Sequence, residues 1–103
     1  MGDFNFCSSW TEEQRRIDPD YLDVWSELHA DPGYTEDPAV NRMLRKYTDK
    51  EAVRLDRVLL RSAIPGWIPV SAEVLGTAPI SDELPDVFPS DHFGLLARLE
   101  WRE

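Results

Sequence analysis

The run Gly94–Trp101 constrains this chain more than any other stretch. Leu95, Ala97, Leu99 and Trp101 fall on one face of an extended segment and Leu96, Arg98 and Glu100 on the other. That period of two is the pattern of a half-buried strand, so the chain must build a sheet. Further strands are predicted at Trp67–Val70 and Glu73–Leu75, bounded by Pro65-Gly66 and Gly76. Ala52–Arg61 also reads as a strand, with Val53, Leu55 and Arg57 on one face and Arg54, Asp56 and Val58 on the other. An Asp facing inward from such a strand needs a partner for its carboxylate.

Helical signals are fewer. Asp18-Pro19 offers an N-cap and a proline for the first turn. Tyr21, Leu22, Val24, Trp25 and Leu28 follow at helical spacing, which predicts a helix over about 19–29, ended by Asp31-Pro32-Gly33. His29 falls at its C-terminal end, where the dipole favours an imidazolium. Ser9 with Glu12 is a capping-box pattern that predicts a helical turn around 11–16. Residues 39–47 read as a loop or one or two helical turns, and 77–89, with three prolines, as a loop.

A chain of 103 residues is one domain at most, and a hydrophobic content of 42% is not that of a disordered segment. No apolar run is long enough to cross a membrane as a helix, so no membrane partner is expected. The acidic, polar start is no signal peptide. The single cysteine, Cys7, excludes an intrachain disulfide and fits a reducing, intracellular compartment, nuclear or cytoplasmic; it is read as a small buried hydrophobe. A net charge of −9 argues against gripping nucleic acid by general basicity. The charge is uneven, though. Residues 1–37 carry ten acids and two bases, residues 38–62 three acids and seven bases, and residues 63–103 seven acids and two bases. A polyanion has one place to sit, the middle segment.

Three motifs carry candidate chemistry: Gly2-Asp3-Phe4-Asn5, Arg54-Leu55-Asp56-Arg57 and Pro89-Ser90-Asp91-His92-Phe93-Gly94. Singly, each has a plain alternative. Asp3 and Asn5 serve as turn caps, Asp56 as the partner of a neighbouring arginine, Asp91 as the first residue of a β-turn, and His92 as a packed edge histidine. Together and in this order they resemble the endonuclease/exonuclease/phosphatase superfamily, and within it the 5′-tyrosyl-DNA phosphodiesterases. Tyr21-Leu22-Asp23-Val24-Trp25, Tyr34-Thr35, Ile68-Pro69-Val70-Ser71 and Val74-Leu75-Gly76 add to the likeness.

The resemblance spans nearly the whole chain but answers to the family domain's C-terminal half. Met1 stands directly before Gly2-Asp3, where a delivering strand is expected. The first half, which supplies an Asn and the main metal-ligand Glu, has no counterpart here. The implied fold is therefore α/β, half of a four-layer α/β sandwich: one mixed sheet of four or five strands with a packed helix. The missing N-terminal half or a second copy is the implied partner. The implied activity is Mg²⁺-assisted hydrolysis of a phosphodiester, with Mn²⁺ as the alternative ion, at DNA ends in DNA repair. In that scheme Asp3 activates water or protonates the leaving group, and Asn5 holds Asp3 and the phosphate in register. His92 donates to a non-bridging oxygen, Asp56 takes the proton on the other ring nitrogen, and Asp91 faces the metal. Arg42, Arg54 and Arg57 are the implied nucleic-acid contacts. Glu36 departs from the pattern, because an aromatic often follows Tyr-Thr in that branch and an acid repels phosphate. The alternatives are a non-catalytic interaction module derived from the fold, and a phosphomonoesterase or lipid phosphodiesterase.

Overall fold

The alternating C-terminal run is a strand, and it pairs with the stretch that carries Pro69. The computed structural model describes residues 1–47, 50–63 and 65–103. Its strands are β1 (Gly2–Asp3), β2 (Leu22–Asp23), β3 (Asp56–Arg57), β4 (Leu59–Leu60), β5 (Gly66–Leu75) and β6 (Gly94–Arg102). They pair antiparallel as β1–β3, β2–β4 and β5–β6. Two short helices, α1 (Thr11–Gln14) and α2 (Val24–Leu28), and a 3-10 turn at Arg42–Lys46 complete the elements. The fold is α/β with small antiparallel sheets, so among the described residues the expected single mixed sheet is corrected to three two-stranded pairs.

The two strands expected at Trp67–Val70 and Glu73–Leu75 are one. Pro69 has no N–H to give, and the ladder steps past it: Pro69 faces Leu99, Ser71 faces Arg98, and Val70 is left over. A bulge is where a ladder tolerates proline. On β6 the inward face is the expected one, with Leu95, Ala97 and Leu99 half-buried, although Trp101 is exposed. The expected strand Ala52–Arg61 is interrupted at Val58, whose carbonyl accepts from the Val24 amide.

The helix expected over 19–29 is shortened to α2. Asp18 does cap, but it caps a turn: its Oδ1 accepts from the Asp20 amide at 2.9 Å and its carbonyl from Tyr21 at 3.0 Å. The chain then extends through β2, and Asp23 becomes the helix N-cap, accepting from the Ser26 amide. Turn and N-cap use the same side-chain chemistry, and pairing of Leu22–Asp23 with Leu59–Leu60 decides between them. His29 ends the helix as expected, and does more there. Its ring stacks on Trp25 at 4.0 Å and its Nε2 lies 2.7 Å from the Ala72 carbonyl, tying α2 to β5. α1 starts after Trp10 without a side-chain cap, since the Ser9 hydroxyl turns to the Cys7 sulfur instead. Cys7 is buried, as expected.

The core is small and half polar. Val24, Trp25, Leu44, Leu55, Phe88 and Phe93 are buried beside Thr35, Glu36, Asn41, Arg54 and Arg57. Such polar groups survive burial only when paired, and Asp23 pairs two of them. Arg54 Nη1 donates to both of its oxygens at 2.9 and 2.7 Å. Arg57 donates from Nε and Nη2 to Oδ2 at 3.1 and 2.8 Å.

The turn after α2 has no room to spare. Gly33 has φ 62°, and a Cβ there would fall inside the Trp25 indole. That indole is fixed by its Nε1 donating to the Asp31 carbonyl at 2.9 Å. Gly33→Ala is expected to cost at least about 1–3 kcal/mol through overpacking, read as a lower urea midpoint at unchanged slope.

Candidate active site

Two carboxylates are brought face to face by a ladder of only two residue pairs. In the β1–β3 pair Asp3 stands opposite Asp56, and Phe4 prolongs the ladder by donating to the Leu55 carbonyl at 2.8 Å. Like charges directly across a ladder repel, so this arrangement calls for a cation, and His92 supplies it. Its Nδ1 lies 2.6 Å from Asp56 Oδ2 and its Nε2 2.7 Å from Glu36 Oε1. An ionised carboxylate only accepts, so each ring nitrogen carries a proton. Burial by itself opposes the charged ring. The hydrogen bond that the ring donates to Asp56, then the charges of Asp56, Glu36 and Asp3, outweigh that and raise the His92 pKa above its ordinary value.

Backbone groups hold the ring in place. The turn before β6 is pinned on one side by Asn41, whose side-chain amide donates to the Ser90 carbonyl at 2.8 Å. On the other side the Phe93 amide donates to the Thr35 carbonyl at 2.6 Å. Thr35 is fully buried, and its hydroxyl accepts from the Leu55 and Asp56 amides at 3.0 and 3.2 Å. One threonine thus joins the loop, β3 and the histidine turn. Thr35→Val keeps the shape and removes the acceptor, leaving one buried and one half-buried amide without it. It is expected to cost about 1–3 kcal/mol and to speed hydrogen exchange at the Leu55 and Asp56 amides.

Asp3 is exposed and is oriented by its own turn. Its Oδ1 accepts from the Asn5 amide at 2.8 Å, and Asn5 takes the left-handed conformation, φ 57°, that asparagine tolerates well. Asp3, Asp56 and His92 each offer a ligand atom within 4.8 Å of the others. Two carboxylates suit a hard divalent ion that keeps much of its water. The imidazole is a poorer ligand here, because carboxylates engage both of its nitrogens. Asp91 is exposed and is not brought to this cluster; its Oδ1 lies 3.5 Å from the Ser90 hydroxyl.

The arginines divide. Arg42 is at the surface, paired with Asp86 at 2.9 Å. The expectation that Arg54 and Arg57 meet nucleic acid is corrected by their burial, at 4% and 1% exposure. Besides Asp23, Arg54 bonds the Pro32 carbonyl and the Ser26 hydroxyl, and the Arg57 guanidinium lies over the Phe4 and Phe6 rings. Charge read along a sequence does not reveal which guanidinium turns inward. Sequence reading places Lys50 only among the basic residues of the middle segment and gives neither Asn41 nor Thr35 a role in the site. The one usable signal is a short polar segment, Tyr34-Thr35-Glu36, set between Gly33 and Asp37-Pro38.

None of the described helices is long and apolar enough to cross a membrane. No protein-family model matches the chain, and no curated protein matches it. Among solved structures, a humanized D. rerio TDP2 carrying 14 mutations is similar at a TM-score of 0.70 and 24% identity, over 95% of this chain and 38% of that one. The chain therefore has a TDP2-like fold and spans well under half the length of the protein it resembles.

Proposed function

We propose that the chain is the C-terminal portion of a Mg²⁺-dependent phosphodiester hydrolase acting at DNA ends, completed by an N-terminal half or by a second copy. The observation that carries this reading is the His92–Asp56 pair at 2.6 Å, with Asp3 across the ladder from Asp56. The TDP2-like fold and the order of the three motifs support it. With Asp56 accepting from Nδ1–H, the ring presents Nε2–H to a non-bridging oxygen and stabilises the charge that builds there. Asp3, steadied by the Asn5 amide, orients the attacking water and takes its proton. The new P–O bond forms in line as the bond to the leaving oxygen breaks. The Asp3 and Asp56 carboxylates would hold a magnesium ion; when bound, that ion neutralises charge on the phosphoryl group. Arg42 is the surface arginine left to meet a nucleic-acid backbone.

A second reading, a non-catalytic interaction module, is favoured by one observation: Glu36 already engages the donor nitrogen of His92. The experiment is Mg²⁺-dependent release of nitrophenol from a nitrophenyl phosphodiester by the chain and by its His92→Ala and Asp3→Asn variants. Turnover lost in both variants supports the hydrolase. Turnover no higher than in the variants, with no stabilisation by Mg²⁺, favours the module.

A further inference from the structure

Glu36 is buried to 4% exposure, an unusual place for a carboxylate. It is carried there by the loop: Glu36 and Val53 form an antiparallel bridge, with Val53 N donating to the Glu36 carbonyl at 2.9 Å. Its two oxygens meet two different cations. Oε1 lies 2.7 Å from His92 Nε2, and Oε2 is ion-paired with Lys50 Nζ. Lys50 is anchored in turn, with its ammonium 5.5 Å from the Tyr47 ring centroid. A carboxylate bridging two fixed cationic donors presents its oxygens as two non-bridging oxygens of a phosphoryl group would.

We propose that His92 Nε2 and Lys50 Nζ form an oxyanion site for a tetrahedral phosphoryl group, and that Glu36 is its internal occupant, displaced when the ligand binds. The inference rests on the hydrolase reading for the identity of the ligand, but not for the existence of the site. Charge sets the direction of the effect. Asp3, Asp56 and Glu36 are three carboxylates around two cations, His92 and Lys50, so an added anion meets an excess of negative charge. Removing the Glu36 charge leaves the group balanced and frees both donors. If Glu36 fills the site nine-tenths of the time, the affinity for phosphate falls about tenfold.

The test is binding of inorganic phosphate, followed by the His92 ring resonances, in the unsubstituted chain and in Glu36→Ala, Glu36→Gln, and Glu36→Ala combined with Lys50→Ala. The expected result is roughly tenfold tighter binding for Glu36→Ala and a smaller gain for Glu36→Gln. Adding Lys50→Ala should reverse most of that gain. Equal affinity in the unsubstituted chain and both single variants, each with a native amide spectrum, overturns the proposal. So does a gain that survives loss of Lys50. A phosphate gain with neither nitrophenol turnover nor stabilisation by Mg²⁺ supports the oxyanion site and favours the non-catalytic module over the hydrolase reading.

Discussion

Asp23→Ala lowers the free energy of unfolding by about 3–5 kcal/mol, a large share of the roughly 5–15 kcal/mol a domain of this size has. The reason is what the substitution leaves behind. Arg54 and Arg57 are at most 4% exposed and always charged, and Asp23 is their shared counterion. It is also the N-cap of α2, so one carboxylate links the helix, β2 and β3. Without it, two guanidinium groups stay buried near each other. Acid has the same effect. Burial alone would raise the Asp23 pKa, but the hydrogen bonds and then the charges of Arg54 and Arg57 outweigh it and lower the pKa. A carboxyl lowered in the folded state contributes stability above its unfolded pKa of about 3.9, and that contribution is lost as pH falls from there through the folded value. Urea midpoints taken from neutral pH into acid check both points. The unsubstituted chain is expected to lose stability through that window, and Asp23→Asn, already weaker at neutral pH, to lose less. A loss below about 0.5 kcal/mol in Asp23→Ala would mean that the arginines reach water and that the buried pairing is wrong.

The second large effect falls on activity. Under the proposed mechanism, His92→Ala lowers turnover of a phosphodiester by about 10²–10⁴-fold. The ring's donation matters most as charge develops, so kcat and kcat/KM are expected to fall together. Asp56→Asn is expected to cost less than His92→Ala, because an amide oxygen still accepts from Nδ1–H but no longer favours the imidazolium. Steady-state kinetics on the three proteins decides. A rise in KM alone for His92→Ala would assign the ring to ground-state binding and remove it from the chemistry.

What the sequence disclosed follows from the range of the forces involved. Gly94–Trp101 is legible because a period of two is a local property of a half-buried strand. Its partner was legible in position but not in continuity, since the bulge at Val70 depends on where β6 lies. The helix start was misassigned because Asp18 and Asp23 carry the same capping chemistry, and only the pairing of Leu22 with Leu60 distinguishes them. The three motifs do put Asp3, Asp56 and His92 in one place, whereas Asp91, next to His92 in sequence, turns to solvent. Arg54 and Arg57 look like surface charge in one dimension; burial is a three-dimensional fact set by Asp23. In sequence Glu36 is an acid that repels phosphate, and its engagement with His92 and Lys50 depends on a bridge to Val53, seventeen residues away.

The anchors of the histidine turn have a bearing on how such a chain tolerates change. The groups gripped at either side of His92 are the carbonyl of Ser90 and the amide of Phe93. Every amino acid offers that carbonyl, and every one except proline offers that amide. Of the neighbouring residues, Ser90 adds a side-chain tie as well, its hydroxyl accepting from the His92 amide at 3.1 Å. Drift at Asp91, an exposed residue, can proceed without moving the imidazole, while Asn41, which grips with its side chain, lies some fifty residues upstream, where drift is the more damaging.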